Sequence, residues 1–116
     1  MNLSYRTPIW YYPTPVDFRK QIDGLVILVS DQINQQPTSG ELFIFRNRGG
    51  DKIKLLWYDN NGFWLCYKRI EKGKLKFPTE ITDTLTLSRD ELSWLLSGLD
   101  FTKQKALPNV TATKFF

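Results

Sequence analysis

Apolar residues recur at three- and four-residue spacing between Phe18 and Ile33, then change to dense and alternating runs from Glu41 onward. In the first pattern Phe18, Ile22, Leu25, Val26, Val29 and Ile33 share one face of a 3.6-residue period, which predicts an amphipathic helix. Thr14, Pro15 and Asp17 supply an N-cap, a first-position proline and an acid for the first turn. Pro37 and Gly40 stop the pattern, so the helix is expected over residues 16–34. Ahead of it PIWYYPTP, Pro8 to Pro15, predicts a short extended segment, and its prolines favour a sheet edge or a lead-in.

The second pattern contains three extended runs: ELFIFRN (41–47), KIKLLWY (52–58) and FWLCYKRI (63–70). RGGD and DNNG join them as tight hairpin connections, and EKGK leads to a short fourth run, Leu75 to Phe77. Connections this short predict an antiparallel meander. Neither of the two later long runs is cleanly apolar on one face: Ile53, Leu55 and Trp57 alternate with Lys52, Lys54, Leu56 and Tyr58. LTLSRDELSWLLSGLD then predicts a short helix, with Ser88 and Glu91 as a capping box, Leu92, Leu95, Leu96 and Leu99 as its stripe, and Gly98 at its end. The expected fold class is α+β: a meander of three to four antiparallel strands, a long N-terminal helix packed on it and a short C-terminal helix. One domain is expected over residues 1–100, followed by a flexible basic tail over 101–116 that carries Lys103, Lys105 and Lys114.

Charge changes this picture because it is unevenly placed. The net charge is +4, with 16 basic and 12 acidic residues in the 116-residue chain. Between Arg46 and Lys76 nine basic residues face Asp51, Asp59 and Glu71, a local +6 that leaves −2 for the remainder. The same ribbon, Phe45 to Phe77, holds seven aromatic residues. Clustered cations attract phosphate, Arg adds bidentate contacts, and interleaved aromatics can stack on bases. The competing structural explanation is a solvated sheet whose edge lysines prevent strand-to-strand aggregation.

The missing chemistry narrows the function classes. The chain has no His and one Cys, Cys66, which removes the thiol–imidazole pair and an internal disulfide framework. No zinc spacing and no phosphate-binding glycine loop occur. The carboxylates fall mostly at caps and turns, so no catalytic residues, metal or cofactor are expected. The absence of an apolar run long enough to span a bilayer points to a cytoplasmic protein with no membrane partner.

Candidate DNA-contacting residues are Arg46, Arg48, Lys52, Lys54, Lys68 and Arg69 on the ribbon, with Arg19 and Lys20 from the first helix. Cations in a first helical turn oppose the helix dipole unless an anion is near. Asp17, or Asp23 at helical spacing, would satisfy that need locally. Gly24 inside the helix suggests a close backbone approach. A second function class is a protein adaptor that docks through Trp10, Tyr11, Tyr58 and Tyr67. Trp57, Phe63 and Trp64 are expected to pair across the strands.

PVDFRKQIDGL, LFIFRNRGGDKIKLLWYDNNGFWLCYKRIEKGKLKFP and LTLSRDELSWLLSGLD together resemble the small second-reading-frame accessory proteins of the IS-sixty-six family of bacterial insertion sequences. The resemblance runs from about Ile9 to Asp100. It implies a non-enzymatic accessory to transposition that works beside a separate, larger transposase and has no catalytic set to transfer. DNA and that transposase are the implied partners, and homodimerisation stays open. Phe18 and Gln21 depart from the family's usual Met and Gly, and RGGD is less basic than the usual connection.

Overall fold

A computed structural model describes residues 6–104. Five strands form one sheet: β1 (Ile9–Tyr11), β2 (Leu42–Arg46), β3 (Lys52–Asp59), β4 (Gly62–Arg69) and β5 (Leu85–Leu87), in the spatial order β4-β3-β2-β1-β5. The fold is α+β, but the sheet is mixed. β2, β3 and β4 pair antiparallel in sequence order, whereas β1 lies parallel to β2 and antiparallel to β5. The expected all-antiparallel meander is therefore corrected.

β1 is an interior strand rather than an edge. Its prolines do not obstruct it because Pro8 and Pro13 flank the three paired residues, so each of those keeps its N–H. The Pro8 carbonyl still accepts from Leu42 N at 3.1 Å, and Tyr12 N donates to the Ile44 carbonyl at 3.1 Å. The expected strand at Leu75–Phe77 does not form. That segment returns as a loop, held where Leu75 N donates to the Gly50 carbonyl at 2.9 Å. β5 has no counterpart among the expected strands.

The long N-terminal helix is also corrected. α1 covers only Ile22–Leu28 and continues as a π-helical turn, Val29–Ile33, before Asn34 ends it in the left-handed region at φ 58°. Two interactions withhold residues 16–21 from the helix. Asp17 turns back onto Arg19, accepting from its backbone N–H at 2.9 Å and its guanidinium at 2.7 Å. In addition, the carbonyls of Phe18 and Lys20 accept from the buried Lys54 ammonium at 2.9 and 2.7 Å. A helix starting at Val16 would direct those carbonyls at backbone N–H groups one turn onward instead.

α2, Arg89–Leu96, forms as its sequence signals dictate. Ser88 and Glu91 make both hydrogen bonds of a capping box, and Gly98 follows with φ 86°. A short 3₁₀ turn, Phe101–Lys103, comes next. Phe101 is buried and meets Tyr11 edge-on at 5.6 Å, so the folded unit extends past residue 100. The rest of the expected tail, residues 105–116, lies outside the described residues.

The sheet separates two apolar layers. Ile9, Tyr11, Leu42, Ile44, Ile53, Leu55 and Leu87 point to the α2 side and pack with Leu92, Trp94, Leu95 and Phe101. Phe43, Phe45 and Leu56 point to the other side, where Leu25, Val29 and Ile33 cover them. A strand covered on both faces reads as unbroken apolar sequence, as LFIF does.

Candidate nucleic-acid interface

The cations of the ribbon occupy distinct environments, set by their positions in the sheet. Lys54 lies on interior strand β3, facing α1, and is 1% exposed. Besides its two carbonyl acceptors it lies over the rings of Phe18 and Tyr67, at 4.8 and 5.6 Å. Burial pulls its pKa below the ordinary lysine value, with Asp17 pulling the other way. Lys54 is thus a buried strut that ties the 17–20 turn to the sheet.

Arg46 has a similar role on the opposite face. Its guanidinium donates to the Pro13 carbonyl at 2.8 Å and rests over the Phe77 ring at 5.1 Å. It also lies beside the buried Tyr11 hydroxyl, which desolvation pushes up to about 12 against the pull of Arg46. The hydroxyl has no hydrogen-bond partner of acceptable geometry among the described residues.

Arg19 and Lys20 precede α1 instead of occupying its first turn. Arg19 pairs with Asp17 at 2.7 Å, not with Asp23, and this holds the Asp17 carboxyl at about 2. Lys20 is exposed, and its aliphatic stem lies where a Cβ on Gly24 would stand, at 3.2 Å. The close approach at Gly24 thus comes from a side chain rather than from backbone. Lys68 is exposed on β4 and donates to the Leu96 carbonyl at the end of α2, at 2.9 Å.

One end of the sheet gathers the remainder. The β3–β4 register sets Lys52 directly opposite Arg69. Beyond them, two turns lie side by side: Ile70 N donates to the Asp51 carbonyl at 2.7 Å, and Leu75 N to Gly50. The RGGD turn is organised by Asn47. Its Oδ1 accepts from Gly50 N and Lys52 N at 3.0 and 3.1 Å, and its Nδ2 donates to Asp51 Oδ1 at 2.7 Å. That last bond is the main reason the Asp51 carboxyl sits below its usual range. Gly50 and Gly73 hold φ values of 78° and 76°, which lets both turns reverse tightly.

This end carries Arg48, Lys52, Arg69, Lys72 and Lys74 against Asp51 and Glu71, five cations to two carboxylates. Arg69 is bound to Glu71 at 2.8 Å. Among the described residues, Arg48, Lys52, Lys72 and Lys74 make no hydrogen bond or ion pair through their side chains. A concentration of unpaired donors at one rim can neutralise several phosphates of a duplex backbone.

Of the residues expected from sequence, the fold brings together Arg48, Lys52 and Arg69. It places Arg46 and Lys68 on the opposite face, Lys54 in the core, and Arg19 and Lys20 beside α1. Lys72 and Lys74 were not among the expected contacts. The two-residue DNNG hairpin fixes the β3–β4 register, and counting back along it puts EKGK next to RGGD, so their signal lay in the turn lengths.

Among the expected docking aromatics, Tyr11 is fully buried, Trp10 is half-buried with Nε1 donating to Glu41 at 2.7 Å, and Tyr67 is 52% exposed. Tyr58 is half-buried and meets Phe63 across the strands at 5.0 Å. Trp57 and Trp64 likewise stack across the strands, with centroids 6.1 Å apart. Among the described residues no group of three His, Cys, Asp or Glu is placed to hold a metal ion. No described helix is long and apolar enough to cross a membrane.

Comparison with known proteins gives a consistent picture. A family model described as IS66 Orf2 like protein matches residues 7–106. The uncharacterized protein y4jC of Sinorhizobium fredii is 38% identical over 100 residues, covering 86% of each chain. The uncharacterized protein y4hO of the same organism is 32% identical over 93 residues, covering 80% of this chain and 81% of that protein. No solved structure matches the chain.

Proposed function

From the premise that this chain belongs to the IS66 Orf2-like family, and so has an accessory role in the transposition of such elements, we propose that it binds double-stranded DNA through the basic end of its sheet. The observation that carries this reading is the group Arg48, Lys52, Lys72 and Lys74, gathered around two adjoining turns, whose side chains make no hydrogen bond or ion pair among the described residues. Arg69, shared with Glu71, adds a fifth cation that can exchange its carboxylate for a phosphate. The contact is with the backbone rather than with base edges. It therefore gives affinity and position, and sequence choice is left to the separate transposase.

The test is fluorescence anisotropy of a labelled duplex titrated at several salt concentrations, comparing the wild type with a variant carrying Arg48→Ala, Lys52→Ala, Lys72→Ala and Lys74→Ala. Each phosphate contact contributes about −0.9 to the slope of log affinity against log salt. The variant is expected to bind more weakly with a shallower slope. An unchanged slope, or no wild-type binding at low salt, overturns the reading.

A second reading, an adaptor that docks on the transposase without touching DNA, draws support from Trp64 and Tyr67, more than half exposed on β4. Co-purification with the transposase that survives the four-alanine variant and is lost on Tyr67→Ser would favour it.

A further inference from the structure

β4 is an eight-residue strand at the end of the sheet, without proline, and bonded on one side only. Its free side can be read from the register. Ile70 N donates to the Asp51 carbonyl, so in an antiparallel ladder Gly62, Trp64, Cys66 and Lys68 bond toward β3. The backbone N–H and C=O groups of Phe63, Leu65, Tyr67 and Arg69 then face outward. Soluble proteins usually obstruct such an edge. Here the only charges on the strand are Lys68 and Arg69, both at one end.

We propose that β4 pairs antiparallel with β4 of a second copy of this chain, across a two-fold axis at Cys66, making one continuous ten-stranded sheet. The strand's own chemistry selects that occupant and that register. A two-fold at Cys66 sets Lys68 opposite Trp64 of the second copy, Arg69 opposite its Phe63, and Leu65 opposite its Tyr67. Lys68 and Arg69 then lie opposite aromatic rings, against which their aliphatic stems can pack, and no like charges meet. A two-fold at Leu65 would place Lys68 against Gly62 and leave Arg69 beyond the strand. One at Tyr67 would place Arg69 against Leu65 and Lys68 against Cys66. A shift of one residue would oppose outward-facing groups to inward-facing ones and is excluded. Lys68 reaches Leu96 on its own chain with its ammonium, so its aliphatic stem is the part laid against the tryptophan. This pairing does not depend on DNA binding.

In this register Cys66 faces its copy at a non-hydrogen-bonded position, where Cα atoms stand about 4.5 Å apart, within the range a disulfide spans. It is the one cysteine of the chain, so a covalent dimer reports this contact alone. The experiment is mass measurement by analytical ultracentrifugation on the full chain at about 100 μM, a concentration that reveals even a weak dimer, followed by oxidation with diamide. Diamide takes two electrons and two protons from the thiol pair. The expected result is a two-chain mass and rapid cross-linking of the dimer at Cys66. Trp64→Lys sets like charges opposite each other at an exposed position, so it should weaken the dimer at least about tenfold while the dispersion of amide signals in the NMR spectrum shows the chain still folded. A single-chain mass, a dimer indifferent to Trp64→Lys, or a dimer that diamide leaves uncross-linked overturns the proposal.

Discussion

β3 and β4 are neighbouring strands of eight residues, each with aromatics and two cations, yet they meet opposite fates. β3 is buried along its middle, and Lys54 on it is sealed from solvent. β4 is exposed along most of its length, with Trp64 and Tyr67 more than half accessible. The difference lies in what flanks each strand. β3 has β2 and β4 beside it and an apolar layer on both faces, whereas β4 has a neighbour on one side only. The same residue type therefore does structural work on one strand and stays available on the other. Net charge over the ribbon cannot reveal that partition.

The largest effect that could break this comparison comes from removing the amine at each place. Lys54→Met strands the Phe18 and Lys20 carbonyls and should cost about 2–4 kcal/mol in chemical denaturation. Lys68→Met on β4 should cost about 0.5 kcal/mol or less. Equal costs would mean that flanking structure does not govern the role of the cation.

A middle-sized effect concerns the layer that covers β3. Ser88→Ala removes the hydroxyl that accepts from Glu91 N, and with it the capping box of α2. The expected loss is about 1 kcal/mol, read as a lower denaturation midpoint with an unchanged slope. No loss would show that α2 is held by burial of Leu92 and Leu95 alone.

The smallest effect is electrostatic. Arg19 lowers the Asp17 carboxyl to about 2 from its ordinary 3.8. A depressed carboxylate pKa contributes stability that is present above the ordinary value and lost as pH falls through the folded one. This contribution should therefore fade between about pH 4 and pH 2. Because both side chains are open to solvent, Arg19 at 92% and Asp17 at 48%, it should also shrink with added salt. An NMR titration of Asp17 in Arg19→Ala is expected to return the carboxyl toward 3.8, and a value left near 2 would assign the shift to something else.

Local signals were legible in the sequence wherever neighbouring residues alone decide the structure. The capping box of α2, the two-residue turn after β3 and the end of the first helical segment near Asn34 all belong to this class. Where distant residues compete, the sequence misled. Thr14, Pro15 and Asp17 spell a helix start, but Lys54, more than thirty residues later, takes the carbonyls that such a helix would use. PIWYYPTP reads as an edge or a lead-in because prolines discourage pairing, and only the spacing of Pro8 and Pro13 around IWY permits the interior place. The candidate site followed the same division. Composition marks Arg48, Lys52 and Arg69 but marks Arg46 and Lys54 equally, and only the fold separates the two groups and sets Lys72 and Lys74 beside the first.

The interior place of β1 also bears on how the protein is made. Residues 9–11 leave the ribosome before both of their partners, Leu42–Ile44 and Leu85–Leu87. The centre of the sheet thus stays incomplete until Leu85–Leu87 have emerged, and contacts so distant in sequence form slowly. A product cut short before Leu85 would carry β1 with a bare edge and lack α2, which covers one face. Such a fragment invites aggregation or proteolysis.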